Sequence, residues 1–463
     1  GYLSGESYSI VINDEFKELI MSLSINELTE LEKKEIEEIK TEYFEKLETI
    51  PKKDYEEYSQ LTVIATKKWE EAKTNNDLNV FKDYLRQIIN YNKKFITYRN
   101  SEDRPYNVLL DDYEKDATVE TLDIFFKKIK SELSPFIKEV TEHEIDEKVK
   151  ENLNKFKELT FDIDKQKEFS KYIAELIGFD FNKGVIKESE HPFTLNFNNK
   201  DVRITTHYYE KNILSSIFST IHEGGHAIYE QQIDDIVSET VLGEGTSMGI
   251  HESQSRIFEN MFGRNINFLK NIFNKFDELF DVRSKGIEVE DFYKIVNTVS
   301  KSLIRIEADE LTYPIHIMIR YELEKEIFSN LDEIESSEYI DYLANKWADM
   351  YEEFLGVRPT TNSEGILQDV HWSSGLFGYF PSYALGSAYA AQIYNSMNKE
   401  FSIEENLSNG NFDNINSFLK DKIHKFGKSK TPNELLILAT GEAFNPDYYI
   451  NYLKEKYRKI YGI

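Results

Sequence analysis

Ser215–Ile233 reads SSIFSTIHEGGHAIYEQQI, and its spacing decides the architecture. Leu214, Ile217, Ile221 and Ile228 recur at helical intervals and form a stripe that docks a helix in a core. His222 and His226 stand four residues apart, on one face of that helix and beside the stripe. One face therefore buries the element while the adjacent face presents two imidazoles. Glu223 follows the first histidine, the place of the general base in an H-E-x-x-H pattern. Gly224 and Gly225 each cost about 1 kcal/mol relative to Ala in a helix interior. Two such residues imply that a substrate backbone or another helix approaches closely there.

Two histidines do not complete a catalytic zinc site, which takes a third protein ligand and leaves a position for water. The segment GIHESQSRIFEN supplies Glu252, 26 residues after His226, an interval that fits a loop and a return onto an antiparallel helix. His251 beside it also competes for metal, but consecutive residues point about 100° apart on a helix. A site made of His222, His226 and Glu252 is the expectation. The bland alternative is coincidence: with nine histidines, roughly a few per cent of such chains would show H-E-x-x-H by chance.

Outward from this core the chain reads as helix. From about Glu15 to Lys183, segments such as LTELEKKEIEEIKTEYFEKLETI carry apolar residues at three- and four-residue spacing among Lys and Glu, punctuated by Pro51, Pro105 and Pro135. One stretch breaks the pattern: Phe193–Thr206 alternates and contains Asn198-Asn199, which predicts a hairpin. Helix resumes near Asn212 and continues to the C-terminus, interrupted by the loop GVRPTTNSEG between Gly356 and Gly365. No linker-like composition marks a boundary, so residues 1–463 read as one mostly α domain with a small β element.

The absence of cysteine among 463 residues excludes disulfides, thiolate ligands and a cysteine nucleophile. A formal net charge of -28 repels phosphate backbones and argues against a nucleic-acid partner. No apolar run approaches the roughly 20 residues that span a bilayer. The start, GYLSGESYSIVINDEF, lacks the basic region and apolar core of a signal peptide. A cytoplasmic location with no membrane partner is the default.

Six motifs occur in order: HPF (His191 to Phe193), DVRIT (Asp201 to Thr205), HEGGH (His222 to His226), HESQ (His251 to Gln254), IRIEAD (Ile304 to Asp309) and GILQDVHW (Gly365 to Trp372). Together with GLFGYFPSYALG and TPNELLILATGEAFNP, they resemble the carboxypeptidase Taq family of metallocarboxypeptidases from about Tyr106 onward. The resemblance implies a long-helix, two-lobed gluzincin fold with a deep cleft, similar to neurolysin and angiotensin-converting enzyme. It implies zinc on His222, His226 and Glu252, with replacement by cobalt or manganese left open, and Glu223 as base. It assigns the substrate carboxylate to Arg305, assisted by Arg203, and transition-state donation to His371, Tyr379 and Tyr383. Peptide substrates, release of single C-terminal residues and a homodimer follow from the same likeness. So does a further helical stretch ahead of the position where Gly1 stands.

Each assignment has a plainer rival. An Arg beside Glu307 and Asp309 is more often an ordinary ion pair, and the aromatics are more often core. His191 reads as structural or cleft-lining, His143 and His424 as exposed on charged helices, and His207 and His316 stay unassigned. An endopeptidase or dipeptidyl carboxypeptidase on the same fold is the rival activity, and a non-catalytic metal-binding module the rival class.

Overall fold

The computed structural model describes residues 1–99, 101–143 and 147–463. Along the chain, the elements that carry the site are helices α1 (Lys52–Asn75) and α2 (Ile163–Ile177), then strands β1 (Gly184–Glu188), β2 (Thr194–Asn198) and β3 (Asp201–Thr206). They continue with α3 (Ile213–Gln231), α4 (Met248–Arg256), α5 (Tyr313–Ile327), α6 (Glu338–Leu355) and α7 (Phe380–Glu400). The fold is mostly α with one small sheet, as the periodicity predicts.

The chain divides into two compact units. One comprises 1–134, 301–308 and 312–381; the other comprises 135–300, 309–311 and 382–463. In the first, α5 is buried almost throughout, with Arg320 and Glu324 among its fully buried residues. Trp69 and Lys73 on α1 donate to the carbonyls of Leu367 and Gln368 at 2.9 Å each, tying down the loop before Asp369. Pro51 precedes α1 and Pro105 opens its own short helix, positions where a missing N–H costs nothing.

In the second unit the predicted hairpin is present, β2 pairing antiparallel with β3. The third strand, β1, falls between the helical span that ends near Lys183 and the hairpin from Phe193, in a stretch to which the sequence assigns no element. α2 instead ends at Ile177, capped by Gly178 at φ 106°, and β1 then pairs in parallel with β3 to give the order β1-β3-β2. A five-residue strand paired to a distant partner carries too short a period to be read locally. Val202 and Ile204 of β3 pack with Ala174, Phe179 and Ala227, so the sheet lies against α2 and α3. On β2 the alternation is functional: Thr194 and Asn196 reach α3, while Leu195 and Phe197 face solvent.

His424 is a correction. It is fully buried in this unit, its Nδ1 2.8 Å from Gln232 Oε1 and its Nε2 2.8 Å from Gln254 Oε1. The lysines around it suggest exposure, but the helix over Asp413–Lys422 breaks at Ile423, and both Ile423 and His424 are fully buried. His143 is exposed, as expected.

Candidate active site

The site grows from the contact of α3 with α4. A Cβ on Gly225 would lie 2.7 Å from the Gln254 carbonyl oxygen and 2.9 Å from Ser255 Cα; one on Gly224 would lie 2.7 Å from Ile177. Neighbouring helices therefore account for the glycine pair, and the substrate-backbone alternative is not needed. Gly386 of α7 approaches likewise, its Cβ position 2.6 Å from that of Glu252.

This packing brings His222, His226 and Glu252 together. Glu252 Oε2 lies 4.0 Å from His222 Nε2 and 3.7 Å from His226 Nε2, and the three inward atoms are all within 4.8 Å of one another. Tetrahedral ligands at zinc distances stand about 3.4 Å apart, so a small contraction closes the set on a divalent ion. The outward atoms support the same fit. His222 Nδ1 meets Glu259 Oε2 at 2.9 Å, His226 Nδ1 meets His251 Nδ1 at 2.6 Å, and Arg256 Nε donates to Glu252 Oε1 at 2.6 Å. Each inner donor is thus turned inward by an outer partner, the arrangement that orients metal ligands.

Electrostatics separate the two histidines: against the downward push of burial, Glu259, Glu252 and Glu223 hold His222 above its ordinary pKa. Burial holds His226 well below its ordinary pKa, helped by His251 and His222, so the ring stays neutral and able to bind metal. Glu259 resists the upward push of burial because Arg256, His222 and Arg264 hold it strongly ionised. α4 runs on into a π-helical stretch, Ile257–Gly263, whose wider turns carry Glu259. Glu223 is buried, which raises its pKa, and Thr194 donates to its Oε2 at 2.6 Å. His251, the rival third ligand, has both nitrogens engaged elsewhere, Nε2 lying 2.7 Å from Glu230 Oε1.

A second cluster stands in the first unit. Arg305 opens a short 3-10 turn and is 7% exposed; its Nε donates to Asp369 Oδ1 at 2.9 Å. Arg320, fully buried on α5, donates through Nε to Asp369 Oδ2 at 2.7 Å. Its Nη1 reaches the Tyr351 hydroxyl of α6 at 3.1 Å, and that hydroxyl also meets His316 Nδ1 at 2.8 Å. Two guanidiniums share one carboxylate here, leaving the three groups with a net positive charge suited to an anion. Arg305 pairs with Asp369, a partner that the plain ion-pair reading with Glu307 and Asp309 does not name. Both arginines hold Asp369 far below the usual carboxylate range despite its burial.

His371 follows two residues later, buried, with its ring 5.5 Å from that of Tyr379. Burial, then Arg305, push its pKa down to about 3. Tyr379 also packs edge-on against Tyr113. Tyr383 is half-buried on α7. Arg203 sits on β3, 51% exposed, bound through two nitrogens to Asp201 and stacked on Phe197, so its charge is committed at the surface. His191 is exposed, and His207 Nδ1 lies 2.7 Å from the Ser189 carbonyl.

Glu259, Glu230, Thr194, Asp369 and Arg320 were not singled out from the sequence. Glu259 lies seven residues after Glu252 and Glu230 four after His226, spacings that share a helix face. Those two were legible in principle, and Asp369 stands inside GILQDVHW. Thr194 and Arg320 join their partners only through tertiary packing.

A sequence model described as the carboxypeptidase Taq (M32) metallopeptidase family matches residues 1–457. Carboxypeptidase 1 of Bacillus subtilis is 44% identical over 468 residues, covering 100% of this chain and 90% of that protein. Thermostable carboxypeptidase 1 of Pyrococcus furiosus is 35% identical, covering 99% and 90%. The crystal structure of an M32 carboxypeptidase from Deinococcus radiodurans superposes with a TM-score of 0.92 at 30% identity, covering 100% of this chain and 91% of that one.

Proposed function

The chain belongs to the carboxypeptidase Taq (M32) family of metallopeptidases and is a metallocarboxypeptidase, and from that premise we propose that His222, His226 and Glu252 hold zinc while Glu223 is the general base. The observation that carries the reading is the convergence of three inward donors, each fixed from outside by its own partner. A bound divalent ion supplies Lewis acidity to the scissile carbonyl and lowers the pKa of water towards roughly 7.

The chain's own residues do the rest. Glu223 takes the proton from the attacking water and passes it to the leaving amine. Thr194 keeps one carboxylate oxygen fixed through that exchange. His371, neutral at working pH, donates a hydrogen bond to the developing oxyanion, as do Tyr379 and Tyr383. Arg305 binds the substrate's terminal carboxylate, so that the last peptide bond is the one presented and single amino acids are released. The charge excess of the Arg305–Asp369–Arg320 cluster supports this role. Arg203, committed to Asp201, is at most an auxiliary. Zinc in preference to cobalt or manganese, a homodimer and a cytoplasmic location extend the same reading. Among the described residues no helix is long and apolar enough to cross a membrane.

The test is release of amino acids from a peptide blocked at its N-terminus, offered as free acid and as amide. Amidation should cost the wild type about 2–5 kcal/mol, by removing the substrate charge that offsets the excess positive charge of the Arg305–Asp369–Arg320 cluster. In Arg305→Ala the acid should lose a similar amount and the amide little more, a strongly non-additive cycle. Additive losses would make Arg305 structural, and equal cleavage of acid and amide would favour an endopeptidase.

A further inference from the structure

Between α3 and α4, two polar side chains outside the ligand set extend a line outward from His226. His226 Nδ1 stands 2.6 Å from His251 Nδ1, and His251 Nε2 stands 2.7 Å from Glu230 Oε1. Glu230 is 2% exposed and is itself pinned: the same Oε1 accepts the Gly245 N–H at 3.0 Å, and Oε2 accepts from Asn196 at 2.8 Å. Space for the central ring is built in. A Cβ on Gly245 would fall 2.6 Å from His251 Cδ2 and 2.8 Å from the Tyr229 ring.

We propose that Glu230 and His251 act as positioning residues that fix which nitrogen of His226 carries the proton, and so present its Nε2 lone pair to the metal. The proposal rests on the ligand set given above and deepens it. For Nε2 of His226 to bind a metal, the ring proton must sit on Nδ1, because a neutral imidazole has one donor and one acceptor. That N–H needs an acceptor, and His251 Nδ1 faces it. His251 accepts there when its own proton is on Nε2, and the Glu230 carboxylate, already accepting from Gly245, holds the proton at that end. Direction therefore runs from His226 through His251 to Glu230. The other histidine ligand differs, since the Nδ1 of His222 faces the ionised Glu259 carboxylate directly, to which its N–H donates once Nε2 binds a metal. The role also accounts for His251 standing beside Glu252 without ligating: its ring is used one shell further out.

The decisive experiment is the affinity of the metal-stripped full chain for zinc, by chelator competition, in wild type, His251→Leu, His251→Asn, Glu230→Gln and His226→Ala. Leu removes the acceptor and should raise the zinc Kd about 10–100-fold. Asn can place an oxygen near the lost Nδ1 and should recover most of that. If His251→Leu does not fold, Glu230→Gln decides from the far end of the line, with at least a several-fold rise expected at unchanged apoprotein Tm. In zinc-loaded wild type, the imidazole nitrogen spectrum should show His226 protonated at Nδ1, with scalar coupling to His251 Nδ1. Zinc Kd values within twofold of wild type for His251→Leu, or for Glu230→Gln if that variant alone folds, would overturn the proposal. So would a zinc-loaded His226 protonated at Nε2. Unchanged zinc affinity in His226→Ala would instead overturn the ligand set itself, which keeps the two failures apart.

Discussion

Glu223 carries a carboxylate that burial raises in pKa and Thr194 holds in one orientation. Glu223→Gln keeps size and hydrogen bonding but cannot accept a proton at neutral pH. It should retain metal and lose about 10²–10⁴-fold in kcat, measured on metal-loaded enzyme; more than roughly a third of wild-type kcat would assign the base elsewhere. His371 makes a different prediction. Its pKa of about 3 means it is neutral through the working range, so it cannot supply the acid limb of the rate profile. His371→Ala should lower kcat by about 10²–10³-fold as a lost oxyanion donor, with both limbs of the pH profile in place. A limb that disappears with the side chain would contradict this. At this scale the sequence was most legible where helix geometry alone relates residues, as for His222 and His226. It was silent where a partner arrives from a distant element, as Thr194 does for Glu223. The burial of His424 is a miss because a charged neighbourhood says nothing of the helix break at Ile423.

The contact between α3 and α4 is the element-scale device on which the metal set depends. Gly225 meets backbone atoms of Gln254 and Ser255, which cannot swing aside as a side-chain end could. Gly225→Ala should therefore push α4, and Glu252 with it, away from the histidines. We expect about 1–3 kcal/mol of destabilisation by overpacking, together with weaker zinc binding in a chelator competition. Wild-type affinity in that variant would show the contact to be slack. The glycine pair announced a close approach, but not whether a helix or a substrate made it; the packing of α2 and α4 answers that. β1 stayed hidden because its parallel partner, β3, lies beyond an intervening strand. The π-helical continuation of α4 left no local signal.

Across the whole molecule, the six ordered motifs made the family legible, and with it the expectation of two lobes, whereas the points where the chain divides between its two units were not. One boundary falls at Ser134 and Pro135, at the start of a helix, and another at Pro381 and Ser382, within α7. No linker-like composition marks either. The first unit's cluster should register as stability. Replacing Asp369 with Asn leaves two buried guanidiniums without their counter-charge, and should cost about 3–5 kcal/mol. Because the arginines depress the pKa of Asp369, its contribution is present above the unfolded value of about 4 and is lost as pH falls towards the folded value. The gap in urea midpoint between wild type and Asp369→Asn should therefore be wide at neutral pH and narrow as the medium is acidified; a gap that widens in acid would contradict the pairing. The metal set itself is tested most directly by metal analysis of the purified chain and its Glu252→Ala variant. Wild type should hold about one transition-metal ion per chain, and Glu252→Ala should lose it as completely as His222→Ala does. Full metal content in Glu252→Ala would contradict the account.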